Sequence, residues 1–322
     1  MQIRVGVIGG AGYTAGELLR LLVNHPQIEM VFIHSTSNAD KPVTAVHRDL
    51  IGECDWQFTS TYSNEVDVVF LCVGHGDAKK TLAGHAFPES VKIIDLSQDY
   101  RLQANAEGFV YGLPELNRKR IQTAKSIANP GCFATAIQLA LLPLAQAKKI
   151  KQAVHINAIT GSTGAGQSLS ASSHFSWRNN NISVYKAFKH QHLAEITESL
   201  TSLQGDAIGP LYFVPQRGDF TRGIFASLYT ETNWTQEEAL AHYQAYYASH
   251  PFVHVTSETI DLKWVVNTNK CVIQVEVVDG QLAIYSIIDN LLKGASGQAV
   301  QNMNLLFGLP ENTGLRLKAV AF

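Results

Sequence analysis

The sequence has little sulfur and little charge. Four cysteines, Cys54, Cys72, Cys132 and Cys271, are scattered through 322 residues. None pairs as C-x-x-C and none has metal-ligand spacing, which argues against a disulfide framework and against a metal site. Free thiols in a reducing cytoplasm are the expectation. Charged residues make up 16% of the chain and the formal net charge is −2. That leaves no basic footprint for nucleic acid and no polybasic signal for a membrane surface. No apolar run approaches the roughly 20 residues that span a bilayer. The chain opens on an apolar strand rather than on the charged-then-apolar layout of a signal peptide. Repeats, low-complexity segments and long linkers are missing as well. With 46% hydrophobic residues the chain lies outside the disordered regime, and its length suggests two domains, each with a sizeable core.

What is present begins as alternating strand and helix. "IRVGVIGG" is a continuous apolar run ending in glycines, as a buried parallel strand does. "AGELLRLLVNH" follows, with Leu18, Leu19, Leu22 and Val23 forming a helical stripe. "IEMVFIHS", "VDVVFLCV" and "VKIIDLS" are further short strands. This is the βαβ pattern of a doubly wound parallel sheet, a Rossmann-type α/β domain. The pattern changes near residue 130. "AVHINAITG", "LYFVPQ", "GIFASLYTE" and "KCVIQVEVV" are long β-rich segments, with helices expected near 189–203 and 235–249. They predict an α+β second domain with a mixed or antiparallel sheet. The stretch from Lys293 to Leu306 returns to a helical pattern.

Two clusters carry chemistry. In the first, Gly9, Gly10 and Gly12, followed by Tyr13, Thr14 and Ala15, lie between the first strand and its helix. Glycines at that junction allow a tight turn and let backbone N–H groups approach a pyrophosphate at the helix N-terminus. An NAD site usually places an acidic residue at the end of the second strand. Ser35, Thr36 and Ser37 stand there instead, hydroxyls that accommodate a 2′-phosphate without repulsion, so NADP(H) is the expected cofactor.

The second cluster is "ANPGCFATA". Cys132 follows a helix-breaking Pro-Gly and precedes an apolar helical run. One reading is a buried packing cysteine; the other is a thiolate stabilised at a helix N-terminus, acting as nucleophile. A nucleophilic thiol beside a nicotinamide implies acyl transfer to cysteine and a histidine acid/base. In "KHQHLAEI", His190 and His192 stand at the start of a helical stripe. Glu195 lies three residues after His192, on the same face, where it can orient the ring.

These blocks, with "DLSQDYRL", "VYGLPELNR", "GSTGAGQS", "TRGIFASLY", "KWVVNTNKC" and "IDNLLKGASGQAVQNMNLLFGL", occur in order along nearly the whole chain. Together they resemble the N-acetyl-γ-glutamyl-phosphate reductases, relatives of aspartate-semialdehyde dehydrogenase. The resemblance implies NADPH-dependent reduction of an N-acyl-glutamyl phosphate to the semialdehyde in arginine biosynthesis, with release of phosphate. Cys132 would hold the thioester, and His192, supported by Glu195, would be the acid/base. Gly161, Ser162 and Thr163 with Arg101 would line the substrate pocket, and Arg101 and Arg222 would grip phosphate or carboxylate. Gly297 and Gln298 would lie near the nicotinamide. The resemblance also returns residues 294–322 to the nucleotide domain of residues 1–130, leaving 131–293 as the catalytic and oligomerisation domain, and implies a cytoplasmic homodimer or homotetramer.

The chain departs from the family pattern at Ala15-Gly16, where the small residues are exchanged, at Thr36, at Gln167 and at Gly218-Asp219, and it is shorter between Arg101 and Tyr111. Several of these border the expected substrate site, which keeps an N-succinyl-glutamyl or N-acyl-aminoadipyl phosphate as an alternative substrate. Rivals from other classes are a nucleotide sensor without turnover and a thiol hydrolase.

Overall fold

The computed structural model describes residues 2–320; positions 1, 321 and 322 of the expected domains lie outside them. The chain forms two compact units. The first ends at Pro130 and resumes over Ala295–Arg316; the second is Gly131–Gly294 with the stretch that starts at Leu317.

The first unit is built on β1 (Ile3–Ile8), α1 (Tyr13–Leu22), β2 (Ile28–His34), β3 (Phe58–Thr59), β4 (Val68–Leu71), α2 (Asp77–Gly84), β5 (Lys92–Asp95), β6 (Phe109–Tyr111), α3 (Pro114–Gln122) and β7 (Ser126–Ala128). Its seven strands lie in the order β3-β2-β1-β4-β5-β7-β6, and every pairing is parallel. Strand order reverses at β1, so the crevice for a ligand opens at the carboxyl ends of β1 and β4. Both sheet faces are covered. Val69, Leu71 and Ile93 join Ala78 of α2 in one buried cluster. Val68, Phe70 and Ile94 alternate to the other face. The short strands β3, β6 and β7 have too few residues to show a period, and pattern reading passes over them.

The second unit contains α4 (Cys132–Gln146), β8 (Val154–Thr160), α5 (Phe175–Arg178), β9 (Ser183–Val184), α6 (His192–Gln204), β10 (Leu211–Arg217), β11 (Ile224–Glu231), α7 (Gln236–Tyr247), β12 (Val253–Thr256), β13 (Cys271–Val278) and β14 (Gln281–Ile288). Its sheet runs β12-β13-β14-β11-β8-β10-β9. The β8–β10 and β12–β13 pairs are parallel and the others antiparallel, so the sheet is mixed. A π-turn, Leu292–Ser296, then leads into α8 (Gly297–Leu306) of the first unit.

Helix α4 is the core of the second unit, buried continuously from Phe133 to Ala145. It carries Pro143 in its interior. A proline there has no N–H for the carbonyl four residues earlier, which is that of Leu139. The Tyr247 hydroxyl of α7 donates to that carbonyl, and Tyr243 donates to the neighbouring Ala140 carbonyl at 2.7 Å. Tyr247 therefore supplies the donor that proline removes, and the two tyrosines fasten α7 along α4. Helix α8 is also buried throughout, although it carries Gln298, Gln301, Asn302 and Asn304. Asn302 donates to the carbonyl of Gly112 at 2.9 Å and to Oδ1 of Asn129 at 3.1 Å. Asn304 donates to the carbonyls of Glu311 and Thr313 and meets His25.

Among the described residues no helix is long and apolar enough to cross a membrane.

Tyr247→Phe leaves the Leu139 carbonyl buried without its donor. We expect a loss of about 1–3 kcal/mol of stability, read by denaturant unfolding, with no loss from Pro143→Ala made in the Tyr247→Phe background.

Candidate active site

In the first unit the turn after β1 is closed by contact. Gly9 has φ +84°, and a Cβ there would fall 2.5 Å from the carbonyl oxygen of Cys72 at the end of β4. Only glycine takes that conformation without strain. Gly10 donates its N–H to the His34 carbonyl at 2.8 Å, joining the turn to the end of β2. Gly12 is the N-cap of α1, with no side chain capping the helix, and a Cβ there would meet nothing within 4 Å. The space above the helix N-terminus is open at the position where a pyrophosphate needs close backbone approach, so these residues fit a dinucleotide.

The Ala15-Gly16 exchange has a local cause. The His47 ring lies against Gly16, where a Cβ would fall 2.7 Å from Nδ1, and Nε2 of His47 bonds the Gly10 carbonyl at 2.7 Å. His47 therefore braces the turn from outside, and only a glycine at position 16 leaves room for it.

Ser35, Thr36 and Ser37 follow β2 in a turn organised by Asn38, whose amide donates to Ser35 Oγ at 3.4 Å and Ser37 Oγ at 3.1 Å. Lys41 donates to Asn38 Oδ1 at 3.4 Å, which brings a cation to this hydroxyl cluster. Ser296 donates to the Thr14 carbonyl at 2.7 Å, so Gly297 and Gln298 stand beside the start of α1.

In the second unit Cys132 is the first residue of α4, and Gly131 is the N-cap. The thiol is half-buried. Glu195 of α6 accepts the Gly131 N–H at 3.2 Å through Oε2. Its other oxygen lies 3.9 Å from His192 Nε2, beyond hydrogen-bond length. The His192 ring packs on Gly131, where a Cβ would fall 2.3 Å from Nε2. His190 Nδ1 accepts the His192 N–H at 3.2 Å, and the two rings stand edge to face at 4.6 Å. Cys132, His192 and Glu195 thus meet at one turn. Glu195 there grips the backbone that presents the cysteine and also lies beside the His192 ring.

The expected substrate residues are also joined. Gly161 donates to the Gly223 carbonyl and Ser162 to the Phe220 carbonyl, while Thr163 bonds the Thr221 carbonyl through both its N–H and its hydroxyl. Arg222 forms a two-pronged pair with buried Asp289, at 3.0 and 3.2 Å. Asp289 also accepts backbone N–H groups from Asn267, Leu291 and Leu292, and its carbonyl accepts from Gly294 at 2.9 Å. Gly294 touches the cysteine: a Cβ there would lie 2.8 Å from Cys132 Cβ. Arg101 belongs to the first unit, where Nε donates to the Asn129 carbonyl at 2.8 Å and Nη2 to the Leu96 carbonyl at 3.1 Å. Both arginines chosen on charge thus hold protein groups.

Two family models match the chain: "Semialdehyde dehydrogenase, NAD binding domain" over residues 4–124 and "Semialdehyde dehydrogenase, dimerisation domain" over residues 132–290. The chain is 59% identical to an N-acetyl-γ-glutamyl-phosphate reductase of Bacteroides fragilis, with 100% of both chains covered. It is 58% identical to that of Bacteroides thetaiotaomicron, again with both fully covered. The chain belongs to the N-acetyl-γ-glutamyl-phosphate reductase family. Its fold is shared with aspartate semialdehyde dehydrogenase II of Vibrio cholerae, at TM-score 0.75 and 15% identity, covering 96% of this chain and 99% of that one. The Candida albicans aspartate semialdehyde dehydrogenase solved with NADP has TM-score 0.67 at 14% identity, covering 97% and 100%.

In this member of the reductase family the cysteine has neighbours that spacing does not announce. Tyr185 stands edge to face with His190 at 5.8 Å, and burial, with the nearby Cys132 charge adding to it, pushes its hydroxyl up to about 12. Burial lowers His190 to about 4, with the Lys186 charge adding to the effect. His190 is therefore neutral at physiological pH, as its Nδ1 acceptor role requires. Asp289, Tyr185 and Arg217 come from three separate segments, and only the fold brings them towards the cysteine.

Because an unfolded histidine protonates near 6.5, the unfolded chain takes up the proton first as pH falls, and stability present above 6.5 is lost towards pH 4. His190→Gln keeps an acceptor for the His192 amide. We expect it to reduce the loss across that window by up to about 3 kcal/mol, measured by denaturant unfolding at both pH values.

Proposed function

We propose that the chain reduces N-acetyl-γ-glutamyl phosphate to N-acetyl-glutamate 5-semialdehyde with NADPH, releasing phosphate, through a thioester on Cys132. The observation that carries this reading is Cys132 at the first position of a 15-residue buried helix, with His192 packed on its N-cap glycine. The partial positive charge of the helix start favours the thiolate, and His192 accepts the thiol proton. The thiolate attacks the acyl carbon, the carbon–oxygen bond to phosphate breaks, and phosphate leaves with its electron pair. The opening amides of α4 stabilise the oxyanion of the tetrahedral stage. Glu195 keeps the Gly131 amide fixed while charge on the sulfur changes. When bound, the nicotinamide supplies the hydride that reduces the thioester carbonyl. His192 then returns a proton, the carbon–sulfur bond breaks, and the aldehyde departs as the thiolate re-forms.

The Gly9–Ala15 turn would hold the pyrophosphate and Ser35–Ser37, with Asn38 and Lys41, the 2′-phosphate; Gly297 and Gln298 would stand on the nicotinamide side. The "dimerisation domain" match supports assembly with a second copy. A face of the second sheet supports it too: Tyr212 and Tyr229 are 44% and 45% exposed, with His155 between them, stacked on Tyr229 at 4.9 Å. The four cysteines are all free thiols, which suits the reducing cytoplasm and a nucleophile that must stay reduced.

The reverse reaction tests the reading: N-acetyl-glutamate semialdehyde, NADP⁺ and phosphate, followed by absorbance of the reduced cofactor. Phosphate-dependent turnover is expected; its absence with NADPH still bound overturns the assignment. Cys132→Ser is expected to abolish turnover while leaving NADPH affinity intact, and His192→Ala to cut kcat by about 10²–10⁴. Gly12→Val places a side chain in the open space over α1. We expect it to weaken NADPH binding at least tenfold by fluorescence titration, with the melting midpoint unchanged.

A further inference from the structure

Arg101 and Arg222 both bond protein acceptors, and a further cation stands near the Cys132 site. Arg217 ends β10. Strand alternation puts it on the same face as Phe213 and Pro215, and Phe213 packs edge to face on Phe133 at 5.2 Å and on His190 at 5.5 Å. Its guanidinium lies over the Tyr185 ring, 4.8 Å from the centroid, and Tyr185 in turn meets His190. Arg217 Nε is buried and has no hydrogen-bond partner, and no carboxylate pairs with the guanidinium among the described residues.

The strand end that carries it is held firmly. Arg178 donates to the Arg217 carbonyl at 2.7 Å, and to the carbonyls of Ser172 and Asn181 and to Ser183 Oγ. Arg178 is thus engaged by protein acceptors, and Arg217 is held against Tyr185 with its buried Nε unmatched. A buried guanidinium N–H without an acceptor is costly unless a ligand provides one. Its planar fork matches the two oxygens of a carboxylate or a phosphate.

We propose that Arg217, braced by Tyr185, is the residue that binds a substrate oxyanion at the Cys132 site. This deepens the reaction proposed above and rests on it. Three oxyanions share the chemistry: the α-carboxylate of the amino acid, the phosphate, and a distal carboxylate on a dicarboxylic N-acyl group.

The reverse reaction separates them, because the acyl amino aldehyde and phosphate are distinct reactants there. Arg217→Gln is expected to raise one KM by about 10- to 100-fold, the worth of a charge-assisted hydrogen bond, with kcat within about threefold. Arg217→Lys, which keeps the charge and loses the fork, should recover part of it. A rise in the aldehyde KM identifies the α-carboxylate, and a rise in the phosphate KM identifies the phosphate. A rise confined to the N-succinyl aldehyde, with the N-acetyl aldehyde unaffected, identifies the acyl carboxylate. Unchanged KM values in both variants, or a fall in kcat alone, overturn the proposal. Calorimetric titration of wild type and Arg217→Gln with N-acetylglutamate, N-succinylglutamate and inorganic phosphate provides an independent reading. Affinity lost with Arg217 supports the assignment even if the wild type fails to turn over, a result that would condemn the reaction instead. Affinity for all three that is absent in the wild type or indifferent to Arg217 overturns it.

Discussion

The hydrogen bond from the Gly131 amide to Glu195 is the constraint around which the catalytic unit is organised. It joins the first residue before α4 to the first turn of α6, and so ties the segments that carry the cysteine and the histidine to one another through backbone. A direct thiol–imidazole bond has to break and re-form as protons move. A carboxylate on an amide does not, so the geometry persists through each change of charge. Glycine at position 131 completes the arrangement, since the imidazole occupies the space a Cβ would take.

Asp289 plays the matching part on the other side of the cysteine. One buried carboxylate gathers Arg222 and three backbone amides, and through Gly294 the same loop presses on Cys132. A buried carboxylate with this many donors is compensated in full. Removing any one donor would disturb the others, because all converge on two oxygens. The cysteine is thus flanked by two acidic residues that fix the backbone around it.

Much of this was readable in the chain. The glycine turn, the parallel strands β1, β2, β4 and β5, and the helices that begin at Tyr13 and Cys132 follow from apolar period and punctuation, which are local properties. Local punctuation and spacing nominated Cys132, His192 and Glu195, and the family blocks gave them their roles. What sequence reading lacked depends on pairing across distance. Charge alone nominated Arg101 and Arg222, yet whether an arginine faces a ligand or a carbonyl depends on which acceptors the fold brings near it. His47 behind Gly16, and Asn38 between the serines, belong to loops without a period. The acid/base spacing of His192 and Glu195 was readable, but not that the glutamate also holds an amide 64 positions away.

The first unit is written in two pieces, with Gly131–Gly294 of the second unit inserted between them. During synthesis β1 to β7 emerge long before α8, the buried helix whose Asn302 bonds Gly112 and Asn129. Until the ribosome has translated past Leu306, Leu18 and Leu22 of α1, fully buried in the finished protein, lack the helix that α1 packs on. The nucleotide domain, first in the message, is therefore completed only near the end of synthesis. The nascent chain carries an unfinished hydrophobic face through most of its elongation, a burden for chaperones that a contiguous domain of the same size would not impose.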